Sequence, residues 1–164
     1  MKKEERFNSM YQEHYIKVFR LCKGYFNGDE DLAADATQEI FIKVWQNLDG
    51  FRNESSVGTW IYRIAVNTCL LHLRKPSTRK EIKIAALPEQ EAGQYNPQVE
   101  DQLKKMYACI RQLDETGKMI ILMVLEGIDY KDAAEVAGIT EDTLRVRIHR
   151  IKKNLSNCVQ HDSI

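Results

Sequence analysis

The chain has 164 residues, 43% of them hydrophobic, and its 24 basic side chains balance 24 acidic ones to a formal net charge of zero. This composition excludes a collagenous or intrinsically disordered chain and leaves a soluble globular protein of one ordinary domain or two small ones. It also excludes a uniformly basic nucleic-acid binder but not a local one, since residues 74–83 carry five basic side chains and one acidic, and residues 145–153 five basic and none acidic.

The opening MKKEERFNSMYQEHY lacks the apolar centre of a signal peptide, and the aliphatic run at residues 119–125 is far too short to cross a bilayer. The expectation is a cytoplasmic protein with no membrane insertion. Cys22, Cys69, Cys109 and Cys158 form no CxxC pair and no His cluster accompanies them, so neither a metal site nor a disulfide framework is expected. They read as reduced, packed thiols.

Phe7, Tyr11, Val18, Cys22 and Tyr25 recur at multiples of three and four and predict an opening helix, its aromatics in the core, ended by Asn27-Gly28-Asp29. In the next helix Ile40, Phe41, Val44 and Leu48 share a buried face. Its opposite side carries Asp35, Gln38, Glu39, Ile42 and Gln46. A polar stripe with an aliphatic residue in its middle suits a surface that docks on another protein.

The loop at residues 49–56 is polar and ends in serines able to cap the next helix. That third helix, over residues 57–74, is apolar on two sides, with Ile61, Ile64, Ala65 and Thr68 on one and Tyr62, Val66, Cys69 and Leu73 on the other. A narrow strip of Trp60, Arg63, Asn67 and Arg74 is left between them. Guanidinium groups pair with phosphate and aromatic faces stack on unpaired bases, so the strip suits nucleic acid. Phe51 and Asn53 in the adjoining loop complete a pocket for an extruded base.

Helical periodicity fails after Arg74, and residues 77–99 read as a linker. A second domain is expected from Glu100, where Leu103, Met106, Tyr107, Ile110 and Leu113 share a face. A helix over residues 117–126 comes next, apolar nearly all round, as for a helix buried in a small bundle. Asp129 is placed to cap a short helix, Gly138 to end it in the left-handed conformation, and Thr140 to cap its successor, with small Ala134 at the crossing. This spells helix-turn-helix. In the last helix, residues 141–157, Leu144, Ile148, Ile151 and Leu155 form the buried stripe, while Asp142, Thr143, Val146, His149, Arg150 and Lys153 point away. Arg145, Arg147, Arg150, Lys152 and Lys153 would meet phosphates or guanine edges from the major groove.

Gln38-Glu39, Phe41, Trp45, Phe51-Arg52, Glu54-Ser55-Ser56, residues 59–65 (TWIYRIA) and Asn67 resemble the sigma-two domain of extracytoplasmic-function sigma factors, the small alternative initiation subunits of bacterial RNA polymerase. Leu125-Glu126-Gly127, the AAEVAGIT turn and residues 143–150 (TLRVRIHR) resemble the sigma-four domain of the same family, with Val146 where a serine is common. The resemblance implies an all-α protein of two small helical domains on a flexible linker: residues 1–76 as sigma-two, 77–99 as linker, 100–158 as sigma-four and 159–164 as a tail. It implies core polymerase binding by Asp35, Gln38, Glu39 and Ile42. Recognition and melting of the minus-ten element would fall to Phe51, Asn53, Trp60, Arg63, Asn67 and Arg74. Reading of the minus-thirty-five element would fall to Thr140, Asp142, Thr143, Arg145, Val146, Arg147, His149, Arg150 and Lys153. The implied partners are core RNA polymerase and promoter DNA, as duplex and as non-template single strand, with an anti-sigma factor as a further candidate.

No paired carboxylates with a plausible site, no nucleophile with an adjacent base and no phosphate-cradling glycine loop is evident, so neither an enzyme nor a cofactor is expected. Two other readings stay open: a helix-turn-helix regulator that never touches polymerase, and an adaptor that binds only proteins. The Trp60, Arg63, Asn67 strip argues against the first, and the basic last helix against the second.

Overall fold

The computed structural model describes residues 2–76 and 96–161. Among them are seven α-helices and no strand: α1 (Lys3–Tyr25), α2 (Glu30–Asn47), α3 (Val57–Arg74), α4 (Pro97–Arg111), α5 (Glu115–Leu125), α6 (Tyr130–Ala137) and α7 (Glu141–His161), with a 3-10 turn at Leu48–Gly50. The expected linker lies mostly outside the described residues.

The first three helices pack on one another. Val18, Leu21 and Cys22 of α1, Ile40 and Val44 of α2, and Ile61, Ala65 and Cys69 of α3 are all sealed from solvent. Each large aliphatic side chain buried in this way contributes about 1.5–3 kcal/mol. The connections are local chemistry. Asn27 adopts a left-handed φ of 56°, turning the chain so that Gly28 N–H donates to the Lys23 carbonyl at 2.8 Å. The Asp29 side chain then accepts the Leu32 N–H at 3.1 Å and starts α2. Ser56 does the same for α3, accepting the Thr59 N–H at 3.1 Å.

In the second half, Ile120, Ile121, Leu122 and Met123 of α5 pack with Ala133 and Ala134 of α6 and with the Leu144, Ile148, Ile151, Leu155 stripe of α7. Gly138 ends α6 at φ 73° and Thr140 caps α7, accepting the Thr143 N–H at 3.2 Å, which together set the expected helix-turn-helix. The halves touch: α3 lies against α6 and α1 against α5. At the second contact a carbon added to Gly24 would run into the Leu122 side chain.

The structure corrects five sequence expectations. Helix α4 starts at Pro97, inside the stretch read as linker, because Asn96 accepts the Gln98 N–H at 3.0 Å and proline fits the first helical position. Of the apolar face expected on α4 only Ile110 is buried, while Leu103 stays 41% exposed, because α4 packs chiefly on α7 alone. Leu125 is 57% exposed rather than sealed in a bundle, because the buried side of α5 is the one carrying Ile120, Ile121, Leu122 and Met123. Asp129 sits at the start of α6 but makes no side-chain cap.

The fifth correction concerns the cysteines. Cys109 and Cys158 are joined in a disulfide, with Cα atoms 6.0 Å apart. Their 49-residue separation in sequence disappears because α4 and α7 lie side by side. Cys22 and Cys69 are buried thiols, as expected, with sulfur atoms 3.5 Å apart.

Candidate protein and nucleic-acid interfaces

Burial of Ile40, Phe41 and Val44 turns the opposite side of α2 outward, so Asp35, Gln38 and Ile42 are exposed, Ile42 by 49%. Glu39 is held instead. Its carboxylate lies 2.6 Å from His72 Nε2 on α3 and 3.4 Å from Lys43 Nζ. The His72 hydrogen bond, with help from Lys43, keeps the Glu39 carboxyl below the usual range, so it stays ionised and ties this face of α2 to α3.

Beside Gln38 and Ile42 an open groove of about 510 Å³ runs between α1 and α2, lined by Phe7, Tyr11, Phe41 and Trp45. Lys3 lies over the Trp45 ring at 4.2 Å. The expectation that the α1 aromatics lie in the core is met only in part: Tyr11 is exposed and Phe7 half-buried. The signal for a groove is present in Phe7, Tyr11, Tyr15 and Phe19, which recur every four residues along α1. Such a stripe is wider than one neighbouring helix can cover.

On α3 the packing of both apolar sides leaves Arg63, Asn67 and Arg74 exposed and Trp60 half-buried. Phe51 stacks on Trp60, ring centres 4.5 Å apart and planes 21° from parallel. This pair floors a cleft of about 630 Å³ whose walls include Arg52, Glu54, Arg63 and Glu135. Asn53, at a left-handed φ of 57°, is exposed on the loop. The structure thus brings Phe51, Trp60 and Arg63 together, whereas Asn53, Asn67 and Arg74 are not among the lining residues.

Two of the arginines have partners in the other half. Arg63 donates to the Glu135 carbonyl at 3.2 Å. Arg74 grips Glu115 with two hydrogen bonds of 3.2 and 2.9 Å, and that grip lowers the Glu115 carboxyl below its usual range.

The outer face of α7 is fully presented: Thr140, Asp142, Thr143, Arg145, Val146, Arg147, His149, Arg150 and Lys153 are all exposed, Val146 by 52%. The Thr140 hydroxyl is committed, accepting from Thr143 N–H and donating to Thr143 Oγ1 at 2.9 Å. Arg145 reaches Glu141 at 3.5 Å and lies 5.7 Å from the Tyr130 ring centre. Arg147, Arg150 and Lys153 form no ion pair among the described residues, so their charge is available to a phosphate backbone.

Residues 10–79 match the family model for sigma-70 region 2 and residues 103–155 that for sigma-70 region 4. The ECF RNA polymerase sigma-E factor of Escherichia coli (strain K12) is 32% identical over 171 residues, spanning 96% of this chain and 88% of that one. The chain belongs to the extracytoplasmic-function family of sigma factors. The sigma-E factor of Haemophilus influenzae is 30% identical, over 96% of this chain and 89% of its own. Among solved structures, CnrH in complex with the cytosolic domain of CnrY shares the fold of this sigma factor with a TM-score of 0.71 at 19% identity, covering 98% of this chain and 91% of CnrH. The Bartonella quintana sigma factor RpoE, solved with the anti-sigma factor NepR, shares it with a TM-score of 0.65 at 21% identity, covering 93% and 97%. Sigma factors of this family are the subunits that direct core RNA polymerase to promoters, and the α2, α3 and α7 faces lie within the matched regions.

Proposed function

We propose that this sigma factor docks on core polymerase through Asp35, Gln38, Glu39 and Ile42 together with the aromatic groove beside them. In this reading the 51–56 loop and α3 capture the non-template strand of the minus-ten element, and the outer face of α7 reads the minus-thirty-five element as duplex. The division of labour follows the two halves, residues 1–76 and 100–158 with the linker between. The work is done in the cytoplasm, where polymerase and promoter are. The chain contributes binding and strand separation, and the polymerase contributes the chemistry. An anti-sigma factor belongs to the same reading, since a protein covering the α2 stripe would compete with polymerase for it.

The Phe51–Trp60 stack beside Arg63 in an open cleft is the observation that carries this reading. Extruding a base costs a few kcal/mol, and stacking on an aromatic ring returns roughly 1–3 kcal/mol per base. Phe51→Ala is expected to lower open-complex formation, scored by permanganate reactivity, while leaving initial duplex binding through α7 nearly intact. A template already mismatched at the minus-ten element should restore activity. Equal loss on paired and mismatched templates would remove strand capture from this cleft.

A further inference from the structure

We propose that Cys109 and Cys158 form a redox-reversible pair that sets how firmly α4 is held on α7, and through it how much of the region 4 half is folded and able to present its recognition face. Three observations converge on it. Helix α4 has little else to hold it: it packs chiefly on α7, Cys109 and Ile110 are its only buried residues, and Val99 and Leu103 remain 43% and 41% exposed. The bond also closes a ring that contains α5, α6, the turn and nearly all of α7, so it restrains the unfolded form of the whole helix-turn-helix. Finally, Cys158 is only partly buried whereas Cys109 is 2% exposed, which gives solvent-borne reagents one reachable sulfur and leaves the other as its resolving partner. Cys22 and Cys69 provide an internal contrast: close in space, wholly buried, and not bonded.

The chemistry balances with a peroxide as oxidant and a dithiol as reductant. The Cys158 thiolate attacks a peroxide oxygen, giving a sulfenic acid and, for hydrogen peroxide, one water. The Cys109 thiolate then attacks that sulfur, forming the S–S bond and releasing a second water, so two thiols lose two electrons and two protons to the peroxide. In reverse, a dithiol attacks Cys158, frees Cys109 as a thiolate, and closes its own disulfide to release Cys158. The inference rests on the function proposed above only for the medium the protein meets, one that keeps most thiols reduced and where a disulfide is more often a sensor than a fixture.

The test takes the full chain through glutathione buffers of graded ratio, counting thiols by maleimide labelling in denaturant and recording thermal melting at each step. The oxidised chain should label at Cys22 and Cys69 only and the reduced chain at all four cysteines, with a midpoint inside the buffered range. Melting of the region 4 half should fall on the order of 10 °C on reduction. Cys158→Ser should melt like the reduced wild type in every buffer, and should that variant fail to fold, the two thiol states of the wild type still decide. A pair that stays bonded across the whole range, or a melting curve indifferent to thiol state, overturns the proposal. Neither readout uses polymerase or DNA, so its failure is distinct from failure of the sigma-factor reading.

Discussion

At the scale of single residues, the informative side chains are those whose chemistry conflicts with their exposure. Ile42 is 49% exposed in the middle of a polar stripe and borders the aromatic groove. A carboxylate there meets water in the free protein, so Ile42→Glu should change stability by no more than about 0.5 kcal/mol. In a docked complex the same carboxylate is driven into an apolar contact, and losses at such central positions reach about 2 kcal/mol or more. Core polymerase affinity is therefore expected to drop at least roughly thirtyfold while the circular dichroism melt stays put. A variant that binds normally, or one that unfolds, would count against docking at this stripe.

At the scale of elements, the ends of the helices show which local signals carry energy. Asp114 and Asp129 both precede helices in the second half, yet only Asp114 makes the cap, accepting the Gly117 N–H at 2.7 Å. Asp114→Ala should cost about 1 kcal/mol, and Asp114→Ser should recover most of it. Asp129→Ala, which breaks no such bond, should stay within about 0.5 kcal/mol of wild type. Urea titration of the three variants gives the comparison, and equal losses at Asp114 and Asp129 would contradict it. Gly117 is bound to the same device. A carbon added there would sit 2.8 Å from Asp114 Oδ1, so a side chain at Gly117 would require the Asp114 carboxylate to shift.

At the scale of the whole molecule, the two halves are joined by contacts that use functional groups. The buried Thr59 hydroxyl donates to Asp132 at 2.9 Å, Arg63 donates to the Glu135 carbonyl, and Arg74 pairs with Glu115. Arg63 spends one N–H donor on Glu135 and Arg74 two on Glu115, so in the proposed strand capture a phosphate would compete for those donors, and movement of α6 and α5 away from α3 would free them. The exposed Arg74–Glu115 pair adds little to hold them, because solvent screens it. The Thr59–Asp132 bond is better shielded, and its loss is expected to cost about 1 kcal/mol. Asp132→Ala should thus enlarge the scattering radius of the free protein, and Asp132→Asn, which keeps an acceptor, should not. An identical scattering profile for Asp132→Ala would place the hold between the halves elsewhere.

The sequence by itself determined most of what depends on neighbours a few positions away, although it misread the cap at Asp129 and the start of α4 at Pro97. Helical class, the buried faces of α2, α3 and α7, the glycine stop at Gly138 and the caps at Ser56 and Thr140 all come from spacing and side-chain chemistry within a turn or two. For the same reason the exposed strips were legible: a face left over when the apolar positions are assigned must point outward. The aromatic groove was half legible, since the α1 stripe was visible but the one helix available to cover it was too narrow. What only the tertiary structure decided depends on which helices lie side by side. The Cys109–Cys158 bond, the shallow seat of α4, the exposure of Leu125 and the commitment of Arg63 and Arg74 to the other half all depend on residues dozens of positions apart. Periodicity tells a helix which face to bury, but the partner that buries it is chosen by packing of the whole chain.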